Sequence, residues 1–166
     1  MPSAPRLIFL CALGAAAAGC QPPDVGYALV FPSEETFLLS ANARVEIYDG
    51  TGLDDASPDA ICRALSVGQP APVATLGSTG KRDVCEFRAG LAIPEVPVSR
   101  LVFFAEAEDA GGTSLLRGCS VIDVTANLPA SCDEDADCPA SYRCRERLVG
   151  GASLDICVLG VQLATL

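Results

Sequence analysis

The chain reads as mainly β: an antiparallel β-sandwich followed by a small disulfide-stapled module. Three observations predict it. Short runs of apolar residues, several of them strictly alternating, recur between turns rich in Gly, Pro and Asp. Helical periodicity is weak throughout. Four cysteines crowd between Cys132 and Cys157, a stretch too short to bury a core without crosslinks.

The elements follow in order. Tyr27–Phe31 (YALVF) and Thr36–Ser40 (TFLLS) are expected as the first strands. In ARVEIYDG, Val45 and Ile47 share one face, and Arg44 and Glu46 the other. Asp49-Gly50 and Thr51-Gly52 turn the chain into the polar loop GLDDASPDA. Ile61–Val67 (ICRALSV) reads as a strand, its Ala and Leu content leaving a short helix as the alternative. Gly68 to Gly80, dense in Gly, Pro, Ser and Thr, is an exposed connection. Val84–Gly90 (VCEFRAG) is a further strand and turn, and the two prolines of IPEVP confine that piece to an edge or a loop. From Leu101 the pattern alternates: Leu101, Phe103, Ala105 and Ala107 face one way, Phe104, Glu106 and Glu108 the other, which is expected to be the wet face. Gly111-Gly112 closes a hairpin, and Ser114–Val124 returns.

The first residues carry a different message. Arg6 precedes an apolar run, Leu7 to Ala18, of the length of a secretory signal and too short for a spanning helix. Pro22-Pro23 forbids helix continuation. Ala17-Ala18-Gly19-Cys20 resembles the lipobox of bacterial lipoproteins, with Ala17 where the family usually has Leu. The resemblance implies cleavage before Cys20, lipidation of its sulfur and attachment to a membrane. Residues 1–19 are then the signal peptide and 20–26 a lipidated tether. Gln21, where an Asp would retain the protein at the inner membrane, favours the outer membrane.

The chain carries 11 basic and 21 acidic residues, a net charge of −10, and loses one positive charge more if Arg6 is removed. This argues against nucleic acid, which needs clustered Lys and Arg, and suits a soluble body. There is no histidine, which excludes a Ser-His-Asp triad, a Cys-His pair and histidine-ligated zinc. Tryptophan is absent too, which weakens sugar stacking. Glu106 and Glu108 are the nearest thing to a paired-carboxylate site, and Cys85, near Lys81 and Arg82, to an activated thiol. Neither has the company that catalysis needs, and no phosphate-cradling glycine loop is present. No catalysis and no cofactor is expected.

Nine cysteines are present. Setting aside Cys11 in the leader and Cys20 leaves Cys62, Cys85, Cys119, Cys132, Cys138, Cys144 and Cys157, a density that fits an oxidising compartment. An odd count leaves one over. The stretch from Ala43 to Val124, with its proline-bearing lead-in, long strand and Gly118-Cys119 strand, resembles the immunoglobulin-like or prealbumin-like sandwiches of bacterial surface lipoproteins. Such sandwiches often join sheets or strands through a bridge between distant cysteines. That resemblance implies Cys62–Cys119, with Cys85 as the odd residue, and Cys62–Cys85 as the alternative.

The spacing C-x5-C-x5-C-x12-C from Cys132 carries two bridges in one of three pairings, which spacing does not choose. The interlocked pairing, Cys132–Cys144 with Cys138–Cys157, is the preferred one. The opening CDEDADCPASYRC resembles four-disulfide-core modules, but the doubled cysteine and the later cysteines are missing. Plain bacterial modules of the same spacing are the better comparison. Asp133, Asp135 and Asp137 match half of a calcium loop, but Cys138 and Cys144 stand where Gly and Glu are required. A solvated turn beside Arg143, Arg145 and Arg147 is the expected role, with no metal. The organisation expected is a sandwich over residues 27–128 and a cysteine-rich module over 129–166. The functional expectation is a binding or structural role at the cell envelope, with an envelope protein or glycan as partner. The alternative, implied by the four-disulfide-core resemblance, is inhibition of an extracellular protease.

Overall fold

Strand β6, Arg100–Glu108, buries every residue from Leu101 to Ala107. A strand covered on one face alone buries every second residue, so β6 must be covered on both. In the computed structural model, which describes residues 25–88, 92–93, 96–124, 131–149 and 152–166, two different elements supply the covers. The expected signal peptide and Cys20 lie outside the described residues, as does the start of the tether. Among the described residues no helix is long and apolar enough to cross a membrane.

The fold is mainly β, sandwich-like, and its C-terminal region is rich in disulfides. In chain order the elements are β1 (Val25–Val30), α1 (Glu34–Leu39), β2 (Asn42–Asp49), a 3-10 turn, α2 (Pro58–Ser66), β3 (Thr75–Ser78), β4 (Arg82–Asp83) and α3 (Val84–Arg88). Then come β5 (Ala92–Ile93), β6, β7 (Ser114–Asp123), a second 3-10 turn (Asp135–Asp137), β8 (Tyr142–Val149), β9 (Ala152–Gln162) and β10 (Ala164–Thr165). The larger sheet has the order β10-β7-β6-β2-β3, with β4 beside β2; the smaller is β5-β1-β9-β8. All pairs are antiparallel except β1–β9, which is parallel.

The inner faces of the two sheets meet in one core. Val45, Ile47, Leu101, Phe103, Ala105 and Leu116 of the larger sheet pack with Cys157, Leu159 and Val161 of β9 and Tyr142 of β8. The expected boundary near residue 128 therefore runs through a shared core: the C-terminal segment supplies half of the smaller sheet. At Leu163 the chain leaves that sheet and, as β10, joins the edge of the larger one beside Leu116 and Arg117. Such sheet-switching strands form the corners of sandwiches.

Three segments expected as strands are helical, each for a local reason. Ser33 caps α1, accepting from the Thr36 N–H while the Thr36 hydroxyl accepts from the Ser33 N–H, and Glu34 and Glu35 favour the positive end of the helix. Thr36–Ser40 is thus the end of a helix, not a strand. In α2, Ser57 is the cap and Pro58 occupies the first turn, where its missing N–H costs nothing. Ile61 and Leu65, four apart, then fall on one buried face. In α3, Val84 and Phe87 are buried three apart. The connection from Gly68 to Gly80 contains the short edge strand β3.

The outer face of β6 also departs from expectation. Phe104 is buried with Val102, Tyr48, Ile61 and Leu65 in a second cluster beneath α2. Glu106, expected in water, is only 5 % exposed. The β6–β7 hairpin closes as expected, with Asp109 accepting from the N–H groups of Gly111 and Thr113 and Gly112 at a positive φ.

Gly118 sits where β7 passes the end of β9. A Cβ there would lie 1.6 Å from the Gln162 carbonyl oxygen, so Gly118→Ala must push two strands apart. We expect it to cost at least about 1–3 kcal/mol by urea unfolding, as overpacking does. Gly77→Ala, whose Cβ would meet only the tip of Ile47 at 3.9 Å, should change stability by less than about 0.5 kcal/mol.

Candidate functional site

The register of the larger sheet sets three charged residues in one row. Arg44 of β2 lies opposite Glu106 of β6, and Glu106 opposite Arg117 of β7. All three point to the outer face, beyond the C-terminal end of α2. Glu106 accepts from Arg117 Nε and from the Ser114 hydroxyl on Oε1, at 2.8 and 2.7 Å. Its Oε2 lies 2.8 Å from Arg44 Nη2. Arg117 also reaches the Ser66 carbonyl at the end of α2, 3.4 Å away.

Beside this row, two residues along β2, the Tyr48 hydroxyl donates to Glu46 at 2.7 Å, and Glu46 approaches Arg44 Nη1 at 3.5 Å. Above them lies an open cleft of about 400 Å³. Its floor is Tyr48, Phe104, Glu46 and Glu106; Leu65 of α2 and the Gln69–Thr75 connection form its walls.

The protonation states follow from these contacts. Burial pushes the Glu106 carboxyl up, but the hydrogen bonds from Ser114 and Arg117 and the charges of Arg44 and Arg117 more than offset it and hold it below the usual range. Burial first, then the hydrogen bond to Glu46, pushes the Tyr48 hydroxyl up to about 12. At neutral pH Glu106 is thus ionised and Tyr48 protonated. Sequence reading singled out Glu106, but with Glu108 as its partner. Glu108 instead pairs with Lys81. The missed signal was register: Arg44 and Arg117 meet Glu106 only once the β6–β7 turn and the β2–β6 pairing are known.

The cysteines are brought together in three bridges, Cys62–Cys119, Cys132–Cys144 and Cys138–Cys157. The first ties α2 to β7 over the outer face. The other two interlock and fasten residues 132–138 to the β8–β9 hairpin. They lie side by side, so the sulfurs of Cys132, Cys138 and Cys157 fall within 4.8 Å of one another. Each is committed to a bridge rather than offered as a thiolate, the form a metal needs. Cys85 is exposed on α3, its N–H donating to Asp83. Of the nearby cations, Lys81 pairs with Glu108, and Arg82 donates to the Thr79 carbonyl.

The acidic turn is occupied by local contacts. Asp135 accepts from the Cys144 N–H and from Arg145, and sits 3.6 Å from Arg143. Asp137 accepts from the N–H groups of Asp133 and Glu134, which hold its carboxyl below the usual range. No family model, curated protein or solved structure matches the chain.

Because folding lowers the Glu106 pKa, its contribution is complete above the unfolded value near ~4.3 and fades as pH falls through the folded value. Glu106→Gln should therefore cost about 1–3 kcal/mol at pH 7, and the gap to the parent, read from urea midpoints, should shrink towards pH 3. By chain entropy the 57-residue closure of Cys62–Cys119 contributes about 4 kcal/mol and the 12-residue closure of Cys132–Cys144 about 3 kcal/mol. Replacing the first pair with alanines should lower the thermal midpoint further than replacing the second.

Proposed function

We propose that the chain is an exported, lipid-anchored protein of the cell envelope, held through Cys20, with a binding or structural role and no catalysis. The observation that carries this reading is the set of three bridges, since disulfides persist in oxidising compartments outside the cytosol. The leader-like residues 1–19 and the lipobox-like Ala17–Cys20 agree with it independently. Gln21 favours the outer membrane. Val25, the start of β1, lies only five positions after Cys20, a reach of about 17 Å at ~3.3–3.6 Å per residue. The body then stands close to the bilayer, where a neighbouring envelope protein or glycan is within reach.

The cleft supports binding more than chemistry. Two of its groups are held in single states at neutral pH, Glu106 ionised and Tyr48 protonated. A general acid or base works best with a pKa near the operating pH.

The anchor is tested by producing the full chain and its Cys20→Ala variant in a double-membraned bacterium fed labelled palmitate. The parent should carry label, begin at Cys20 by mass spectrometry and sediment with membranes, because two or more acyl chains at ~0.8 kcal/mol per buried CH₂ anchor stably. The variant should lose label and keep its leader. A parent that is unlabelled and soluble in the cytosol contradicts the reading.

A further inference from the structure

Every ligand-facing charge in the cleft has an opposite within reach. Glu106 is consumed: Ser114, Arg117 and Arg44 occupy its two oxygens. It orients the two guanidinium groups and offers a ligand nothing. Those groups retain capacity. A guanidinium has five N–H donors. Arg117 spends Nε on Glu106 and Nη1 on the Ser66 carbonyl. Arg44 places Nη2 2.8 Å from Glu106 and Nη1 3.5 Å from Glu46, and its buried Nε meets no acceptor among the described residues. The row Arg44–Glu106–Arg117 thus presents a surplus positive charge. Beside it, Glu46 holds a negative charge, partly spent on the Tyr48 hydroxyl. Leu65, Val73 and Phe104 supply an apolar wall.

The four charged lining residues, Arg44, Glu46, Glu106 and Arg117, sum to zero. A purely anionic ligand would meet Glu46, and a purely cationic one the two arginines. A ligand with both charges on neighbouring atoms leaves neither unmatched. Arg44 and Glu46 stand 3.5 Å apart, close enough for one α-amino acid to address both. We propose that this cleft binds a small zwitterion of the α-amino-acid or dipeptide class. Its carboxylate lies on Arg44 and Arg117, its ammonium on Glu46, and a short aliphatic side chain on the Leu65–Val73 wall. The cleft, at about 400 Å³, falls in the lower part of the range for small-molecule sites. The inference deepens the binding half of the proposed role and rests on that half alone; it is indifferent to whether Cys20 carries lipid.

The test is isothermal titration of the full, oxidised chain in mild detergent. The probes are the individual L-amino acids, aliphatic dipeptides, propionate and n-butylammonium. At least one aliphatic zwitterion should bind with a Kd of about 1 mM or tighter, and the singly charged probes about tenfold or more weaker. Glu46→Gln, checked by circular dichroism for intact folding, should weaken the zwitterion by about tenfold. Arg44→Gln, checked in the same way, should do likewise. No heat from any zwitterion overturns the proposal. So does propionate or n-butylammonium binding as tightly as the amino acid, or a folded Glu46→Gln chain that binds undiminished. Palmitate labelling of Cys20 stands apart from all of these outcomes, so the anchor and the ligand fail separately.

Discussion

Both faces of β6 must be kept from water. Leu101 to Ala107 form an unbroken buried run at the centre of the larger sheet. At ~25 cal/mol per Å² of apolar surface, exposing either face would cost several side chains' worth of burial. The inner cover is the smaller sheet, which pairs opposite ends of the described chain, β1 at the start with β9 and β8 near the end, and carries β5 at its edge. The outer cover is α2, a helix of nine residues. A helix this short is marginal alone in water, and so is an isolated hairpin such as β8–β9. The bridges fall where this weakness lies. Cys62–Cys119 holds the outer cover to the sheet, and the two C-terminal bridges fasten residues 132–138 to the hairpin of the inner one.

The cleft follows from the same constraint. α2 covers Val102 and Phe104 but ends before the row that contains Glu106. A carboxylate at that margin, partly removed from water, must be paired. The strands on either side supply an arginine each, because β2 and β7 place Arg44 and Arg117 in register with it. The resulting network fixes the edge of α2 through the Ser66 carbonyl, so the electrostatics of the site and the seating of the outer cover are one arrangement.

Much of this was legible in the sequence. Alternation located β2 and β6 and set Val45 with Ile47, and Leu101 with Phe103, on one face of each; the Gly111-Gly112 turn located the return strand β7. The resemblance to surface-lipoprotein sandwiches suggested Cys62–Cys119, and interlocking was preferred for the C-terminal pair. Local chemistry hid the helices: Ser33 with Thr36, and Ser57 with Pro58, are capping signals that outweigh the strand-like TFLLS and ICRALSV. Placing the helical alternative for Ile61–Val67 second to a strand had a further cost. Without a cover for the outer face, Phe104 and Glu106 were assigned to water. The parallel β1–β9 pairing joins residues 132 positions apart, such as Tyr27 and Leu159, and strand patterns carry no signal for a partner so distant. For that reason residues 129–166 read as an appendage rather than as half of a sheet.

The fold depends on oxidised covers over β6. The most direct measurement is disulfide mapping: protein taken from its native cells, thiols blocked at lysis, digested without reduction and read by mass spectrometry. Crosslinked peptides joining Cys62 to Cys119, Cys132 to Cys144 and Cys138 to Cys157 are the predicted result. Six blocked thiols in their place, or a different set of partners, would contradict it.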